Sequence, residues 1–231
     1  MTETRLYIAR HGRTLFNAMG RVQGWSDTPL TEEGREGIKE LGIGLKASGI
    51  DFKLAVTSDL GRTLETMAII QDEMGIAGLI PERQDKRIRE WCFGAYEGMY
   101  DSDLYGGVLP HLNGVVDAKA MSYPDIATSI HQVDSTKWSE PWEVLKDRIL
   151  DGFTTIAKEV SDMGGGNAIV VSHGVTISTL AYLLDPENPK KIGIKNGSIT
   201  CVRYEDGRLV LETTGEVSYR EKGRQILDRQ S

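Results

Sequence analysis

Cysteine is scarce in this sequence, and its potential metal ligands form no recognisable pattern. The 231 residues include two cysteines, Cys92 and Cys201, which lie far apart in the chain. This spacing excludes a disulfide framework and a cysteine-based metal motif. The four histidines form neither a His-x-His nor a His-Glu-x-x-His pattern. We therefore predict no metal site, and a reducing cytoplasm is the expected compartment.

Long hydrophobic runs and an excess of basic charge are also absent. The longest apolar stretches, such as 168–171, are far too short to span a bilayer, and the first five residues do not resemble a signal peptide. With 27 Lys and Arg against 34 Asp and Glu, the formal charge is −7. An acidic chain has no bulk attraction for nucleic acid or anionic membranes. We expect neither of these partners, while a homo-oligomer stays open.

Short apolar segments alternate with helical periodicity along most of the chain. Segments rich in β-forming residues predict strands at 5–10, 54–58, 79–82 and 168–172, and a β-hairpin at 199–204 and 209–213. Helices are predicted after Thr31, after the second strand, from Pro141 and over 175–184. The charged tail from Arg220 is expected to fray. This alternation is typical of an α/β fold with a mainly parallel sheet, here a single domain over residues 1–231.

Residues 99–138 interrupt this alternation. They contain Gly106-Gly107, two prolines and little sustained periodicity. A plain loop of about forty residues is uncommon inside a compact domain. The sequence therefore predicts an inserted cap, or small helical subdomain, at about 99–138.

Two of the predicted strands end in the same dipeptide. His11-Gly12 follows the first strand, and His173-Gly174 follows the strand at 168–172. Ligands of open α/β sheets bind beyond the carboxyl ends of the strands, so the two histidines are expected to meet there. The helix that follows presents free N–H groups, which favour an anion, and Arg10 and Arg62 supply positive charge. Each of these residues alone is more often structural, but together they predict an anion site.

Several blocks of the sequence occur in an order that is characteristic of one family. They are Arg10-His11-Gly12-Arg13-Thr14 with Asn17, Gln23 to Thr31 with Gly34, Ser58 to Arg62 with Thr66, Glu90 to Gly94 with Glu97-Gly98, Ser172-His173-Gly174, and Asn196-Gly197-Ser198. Together they resemble the histidine phosphatase superfamily, which has the phosphoglycerate mutase-like fold. The resemblance covers most of residues 5–98 and 140–204 and implies a three-layer α/β sandwich. The insert at 99–138 matches nothing in it.

The resemblance implies roles for the residues around the phosphoryl group. His11 would be the nucleophile that forms a phosphohistidine. Arg10, Arg62 and His173 would hold the non-bridging oxygens, where negative charge sits during the transfer. Because these side chains supply fixed positive charge, neither a metal nor another cofactor is implied.

The resemblance also implies which residues handle protons and contact the substrate. Glu90 would protonate the leaving alcohol and then activate water, from a poorly solvated position beside Trp91 and Phe93. Glu97 is the second candidate for this role, although we expect it to fix the turn at Gly98 instead. Cys92 lacks the arginine-cradled loop of a cysteine phosphatase and is interpreted as a packed thiol. Further polar contacts to the phosphate or the substrate would come from Asn17, Gln23 and Gly24.

Phosphatases and mutases of this family share the phosphohistidine step and differ in what accepts the phosphoryl group. In the mutases an Arg and a Tyr directly follow the catalytic Glu, whereas Trp91 and Cys92 stand here. Residues 99–137 contain no arginine, and only Lys119 and Lys137 against five aspartates, which suits the carboxylate of a phosphoglycerate poorly. We therefore predict a phosphatase whose partner is a small phosphorylated metabolite. Alternatives are a cofactor-dependent phosphoglycerate mutase and a non-catalytic phosphate-binding module.

Overall fold

A computed structural model describes residues 3–186 and 193–230 of the chain. The strands of these residues are β1 Thr4–Arg10, β2 Phe52–Thr57, β3 Glu82–Gln84, β4 Gly166–Ser172, β5 Ile199–Glu205 and β6 Arg208–Glu216. The helices are α1 Leu15–Ala18, α2 Glu32–Ala47, α3 Gly61–Met74, α4 Asp101–Asp103, α5 Leu109–Asn113, α6 Tyr123–Val133, α7 Trp142–Asp162, α8 Gly174–Leu184 and α9 Ser218–Asp228. The strands form one sheet in the order β3-β2-β4-β1-β5-β6. The first four are mutually parallel, β5 is antiparallel to β1, and β6 is antiparallel to β5, which confirms the predicted mainly parallel sheet.

Helices cover both faces of this sheet. Alternate residues of a strand point to opposite faces. Accordingly, Leu6 and Ile8 of β1 belong to an apolar cluster with Phe153 of α7, whereas Ala9 belongs to a second cluster with Leu41 of α2. All five residues have no exposed surface. The resulting order of helix, sheet and helix is the three-layer α/β sandwich that the sequence predicts.

The predicted hairpin is present, and its turn explains why. Asp206 and Gly207 connect β5 to β6 with φ values of 50° and 79°. Two successive positive φ angles define the turn that matches the twist of a two-residue hairpin. The strand predicted at 79–82 lies later in the chain, as β3, and pairs with β2 in parallel register from Ala55↔Glu82.

The prediction that the tail from Arg220 frays is wrong. Helix α9 packs against α2 with the two backbones in close contact: a Cβ on Gly44 would lie 1.7 Å from the Tyr219 carbonyl oxygen, and one on Gly223 would lie 1.8 Å from the Glu40 oxygen. Arg220 also donates to the Glu40 carboxylate at 2.6 Å. The helix is attached through glycines and an ion pair, so it shows little of the apolar periodicity on which the sequence argument depends.

The insert at 99–138 is helical, in agreement with the sequence. It contains α4, a π-helical turn at Leu104–Val108, α5, a 3₁₀ turn at Ala118–Ala120 and α6. Leu104, Leu109 and Ile130 of this segment are buried in the same apolar cluster as α7 and β1. The insert is therefore packed on the α7 side of the sheet, beside the carboxyl ends of the strands.

Candidate active site

The two strand-end histidines lie side by side because their strands are parallel neighbours. Arg10 of β1 pairs in register with Ser172 of β4, and the His11 N–H donates to the Ser172 carbonyl at 3.1 Å. The next residue on β4 is His173, and the two imidazole centroids are 5.3 Å apart. His11 is 3% exposed and His173 is fully buried. The predicted meeting of the two histidines is confirmed.

The hydrogen bonds of His11 determine which ring nitrogen is free. Nδ1 lies 2.8 Å from the Gly12 carbonyl oxygen, and a carbonyl can only accept, so Nδ1 carries the proton and Nε2 keeps its lone pair. The Gly12 N–H in turn donates to the Thr66 hydroxyl at 3.0 Å. Burial, followed by the charges of Arg62 and Arg10, holds the pKa of His11 well below its usual value. His11 is therefore a neutral imidazole with a free Nε2 at neutral pH.

His173 uses both ring nitrogens within the protein. The Arg62 guanidinium donates to Nδ1 at 2.9 Å, so the proton is on Nε2, which donates to the Ser58 hydroxyl at 2.8 Å. Burial and the Arg62 charge hold the pKa of His173 well below its usual value. From the sequence, His173 is expected to contact phosphoryl oxygens directly. In the structure both of its ring nitrogens have protein partners, and it fixes the position of Arg62.

The two arginines carry buried donors that have no acceptor. Arg62 binds the Gly24 carbonyl through Nη2 at 2.7 Å and the Asp27 carboxylate through Nη1 at 3.0 Å. Arg10 donates to the Ile194 carbonyl through Nη1. In both arginines Nε is buried and has no hydrogen-bond partner among the described residues. Buried donors are almost always satisfied, so two such N–H groups near a neutral histidine make this place a candidate anion site.

Glu90 is held at the N-terminus of α8. Its Oε2 accepts from the Val175 N–H at 2.9 Å, and its Oε1 accepts from the N–H and the hydroxyl of Thr176 at 2.8 and 3.0 Å. The Trp91 N–H also donates to Oε1, at 3.1 Å. Glu90 is 4% exposed, and Trp91 and Phe93 are each 2% exposed. The predicted poorly solvated position is present, and the four donors suit a carboxylate.

The three predicted substrate contacts differ in how their polar groups are already hydrogen-bonded. Asn17 accepts from the Asn196 amide at 3.2 Å through Oδ1. The Gln23 amide binds two threonine hydroxyls, those of Thr14 and Thr28. Gly24 has no free polar group: its carbonyl holds Arg62 at 2.7 Å, and its N–H donates to a carboxylate at 3.0 Å. The structure thus places Gly24 in contact with Arg62, away from the position expected of a substrate contact.

The carboxylate that binds Gly24 is Glu97. It accepts from the backbone N–H groups of Gly24, Trp25, Ser26 and Phe93 at 2.9–3.1 Å, and from the Ser26 hydroxyl at 2.5 Å. From the sequence, Glu97 is expected to fix the turn at Gly98. In the structure Glu97 organises the loop at 24–26, and the Gly24 and Ser26 carbonyls of this loop bind Arg62.

A cavity of about 350 Å³ opens beside these groups. Its walls include, from the predicted site, Arg10, Asn17, Gln23 and Glu90, and, from the insert, Asp101, Tyr105, Tyr123 and Ile126. His11, Arg62 and His173 are buried and do not line it. The insert therefore forms the wall that faces the leaving group of a ligand bound at Arg10.

The charges of this wall are few. Arg21 also lines the cavity, but its guanidinium donates to the Gly98 carbonyl and lies 4.3 Å from the centre of the Tyr100 ring. The insert contributes the acid Asp101 and no basic residue to the lining found within the described residues. Apart from Arg10 and Arg21, the described residues of the wall are acidic, polar or apolar.

A metal centre and a membrane-spanning helix are both absent from the described residues. Within residues 3–186 and 193–230, no group of three or more His, Cys, Asp or Glu side chains is placed to hold a metal ion. No helix in the same ranges combines the length and apolarity needed to cross a membrane.

Cys92 and Cys201 are buried and form no disulfide, and burial raises the pKa of each thiol to about 11. Cys92 is thus a packed, unreactive thiol, as the sequence predicts.

Several residues that support the site receive no role, or a different one, from the sequence. They are Ser58, Thr66, Glu97, Thr176 and Asn196, each of which binds a predicted site residue or its backbone. Ser58 ends a predicted strand and Thr176 lies two residues after Gly174, so their positions are visible in the sequence. Their partners are distant in the chain, and only the fold shows which atoms meet.

Comparisons with known proteins identify chains that share this fold and sequence. A phosphoglycerate mutase from Bacillus anthracis shares 35% identity and a TM-score of 0.90, covering 96% of this chain and 97% of that one. YhfR from Bacillus stearothermophilus shares 28% identity and a TM-score of 0.71, with 94% and 99% covered. A probable phosphoglycerate mutase GpmB from Citrobacter koseri is 29% identical over 93% of this chain and 94% of its own length. The profile of the histidine phosphatase superfamily (branch 1) matches residues 6–217, and the chain belongs to this superfamily.

Proposed function

We propose that this protein is a phosphatase that hydrolyses small phosphomonoesters through a phosphohistidine at His11. One observation carries the proposal: the buried Nε–H groups of Arg10 and Arg62 have no acceptor within the described part of the chain, and they lie close to an imidazole whose Nε2 lone pair is free. A phosphate group supplies the missing acceptors, and arginine is well suited to bind its oxygens.

In the first step the Nε2 lone pair of His11 forms a bond to phosphorus while the bond to the leaving alkoxide oxygen breaks. Arg10 and Arg62 stabilise the charge on the non-bridging oxygens throughout. Because His11 is 3% exposed, the phosphoryl group reaches it only if neighbouring side chains shift. Arg10 is suited to move, since it lines the cavity and, among residues 3–186 and 193–230, its side chain is held by one hydrogen bond, to the Ile194 carbonyl.

Glu90 transfers the protons of both steps. In the first step a proton on the Glu90 carboxyl group goes to the leaving alkoxide. In the second step a water oxygen attacks phosphorus, its proton goes to Glu90, and the bond to Nε2 breaks. His11 recovers its lone pair, and inorganic phosphate is released. The bonds from the α8 N-terminus and Thr176 hold Glu90 in place.

The wall of the cavity favours a phosphatase over a mutase. A mutase must retain a glycerate whose carboxylate needs cationic partners. Each tenfold in retention requires about 1.4 kcal/mol of additional binding. The insert contributes Asp101, Tyr105, Tyr123 and Ile126 to the wall, so it repels or ignores a carboxylate, and water becomes the acceptor.

A phosphoglycerate mutase is the second candidate. It is favoured by the similarity of this chain to the phosphoglycerate mutase from Bacillus anthracis and to the probable phosphoglycerate mutase GpmB from Citrobacter koseri. It is also favoured by Arg21, which comes from outside the insert and lines the cavity. Arg21 has donors beyond the one bound to Gly98, and a carboxylate could use them.

Product analysis separates the two candidates. The purified protein is incubated with 3-phosphoglycerate, with and without 2,3-bisphosphoglycerate, and with a panel of sugar, nucleoside and aryl phosphates. We expect release of inorganic phosphate from several monoesters and little formation of 2-phosphoglycerate. Rapid interconversion of the phosphoglycerates, stimulated by the bisphosphate and with little hydrolysis, would establish the mutase. Absence of both reactions would establish a binding module.

A further inference from the structure

The Asp101 carboxylate is a negative charge in the cavity wall that the proposed chemistry does not use. Asp101 is the first residue of α4, and its N–H donates to the Gly20 carbonyl at 2.8 Å. This bond attaches the start of the insert to the loop before Arg21. Among residues 3–186 and 193–230, the Asp101 side chain takes part in no hydrogen bond or salt bridge, and the Arg10 guanidinium acts on its charge from a distance. An anionic group that no described side chain binds directly thus lines the ligand space.

The surroundings of Asp101 strengthen its action on a ligand. The residue is exposed at the mouth of the cavity, yet the surrounding protein displaces enough water to raise the pKa of its carboxyl, with the Arg10 charge acting in the opposite direction. Charge interactions are stronger in such partly desolvated places than in bulk water. A charged group on the ligand therefore experiences Asp101 more strongly than it would an aspartate on an open surface.

Arg21 also lines the cavity, and several of the other lining side chains are aromatic or apolar. Tyr105, Tyr123 and Phe93 line the same cavity as Asp101, together with Ile126. Burial raises the pKa of both Tyr105 and Tyr123, so both rings are neutral near pH 7. Neutral aromatic faces attract organic cations, above all quaternary ammonium groups, through their π electrons.

We propose that the substrate is a phosphomonoester whose leaving alcohol carries a positively charged nitrogen, and that Asp101 recognises this charge. The inference rests on the proposed phosphatase function and narrows its substrate class. Arg10 and Arg62 bind the phosphoryl end, and the cationic end lies against Asp101 and the aromatic wall. An alcohol with a carboxylate in the same place is repelled by Asp101.

A series of three esters that differ in charge tests this proposal. Phosphocholine carries a trimethylammonium group, 3,3-dimethylbutyl phosphate is its neutral isostere, and 3-phosphonooxypropanoate carries a carboxylate. The measured quantity is kcat/KM for phosphate release by the full-length protein and by its Asp101→Asn and Asp103→Asn variants. Asp103 is the matched control, because it is an exposed aspartate of the same helix that does not line the cavity.

We expect the wild-type protein to prefer phosphocholine to its neutral isostere by about tenfold, as is typical of a partly desolvated charge pair with an aromatic contribution. The carboxylate ester should be the poorest of the three. Asp101→Asn should bring the kcat/KM values of the cationic and neutral esters within about twofold of each other. Asp103→Asn should keep the wild-type preference.

The outcomes distinguish this inference from the proposed function. Hydrolysis of the neutral ester without any preference for the cationic one overturns the inference and leaves the phosphatase intact. A preference that persists in Asp101→Asn also overturns it, because another group then recognises the charge. If none of the three esters releases phosphate while 2- and 3-phosphoglycerate interconvert, the proposed function fails, and the inference fails with it.

Discussion

Glu97 offers a demanding test of the structure, because one side chain holds the loop that binds Arg62. Replacing it with glutamine keeps its size and turns one oxygen into an NH₂ group. In either orientation of the amide, two backbone N–H groups then face a donor: those of Trp25 and Phe93, or those of Gly24 and Ser26. A buried N–H without an acceptor costs about 1–3 kcal/mol, and these groups are partly buried. With two such groups, the free energy of unfolding should fall by up to about 2–6 kcal/mol.

Urea denaturation of the wild-type and Glu97→Gln proteins, followed by circular dichroism, measures this difference. Glu36→Gln is the control, because Glu36 is an exposed carboxylate of α2 and such substitutions usually change stability by less than about 0.5 kcal/mol. Since the Gly24 carbonyl holds Arg62, kcat should fall as well. A change in stability no larger than that of Glu36→Gln would refute the reasoning.

Three other predictions follow from the site. The pKa values of His11 and His173 are both held below the ordinary 6.5, so below pH 6.5 the unfolded chain binds protons that the folded chain does not. The free energy of unfolding should be highest above pH 6.5 and fall on acidification by up to about 1.4 kcal/mol per pH unit per histidine. Urea denaturation at pH 7.5 and 5.5 measures this fall, which should be smaller for His173→Asn than for the wild-type protein. An equal fall in the two proteins would contradict the prediction. Activity should survive exhaustive treatment with EDTA, because arginines supply the positive charge; a loss that zinc or magnesium restores would exclude the metal-free mechanism. Glu90→Gln should slow an alkyl phosphate by about 10²–10⁴-fold and a nitrophenyl phosphate much less; equal losses of kcat/KM would remove Glu90 from the acid role.

The sequence predicts that His11 and His173 lie side by side, because their positions depend on the order of residues along two strands. His11 and His173 each follow a strand directly, and parallel neighbouring strands bring their ends together. The apolar runs are strong enough to predict those strands. Once the strands are in register, the distance between the two rings follows from the backbone.

The parts that the sequence does not predict depend on contacts between distant segments. The interactions of Glu97 with residues 24–26 join positions about seventy residues apart, and no local pattern indicates them. Helix α9 is fixed through Gly44, Gly223 and the pair of Glu40 with Arg220, so a search for an apolar stripe misses it. Likewise, His173 looks like a phosphate ligand in the sequence, and only the positions of Arg62 and Ser58 show that both its nitrogens are occupied.

Rapid-quench labelling with a radiolabelled phosphomonoester tests the central claim most directly. We expect a phosphoenzyme that is labile in acid and stable in base. It should form on the wild-type protein and not on a folded His11→Ala variant. It should decay to inorganic phosphate with no acceptor other than water. Label that stays on His11→Ala, or turnover with no label on the wild-type protein at any time, would contradict this expectation.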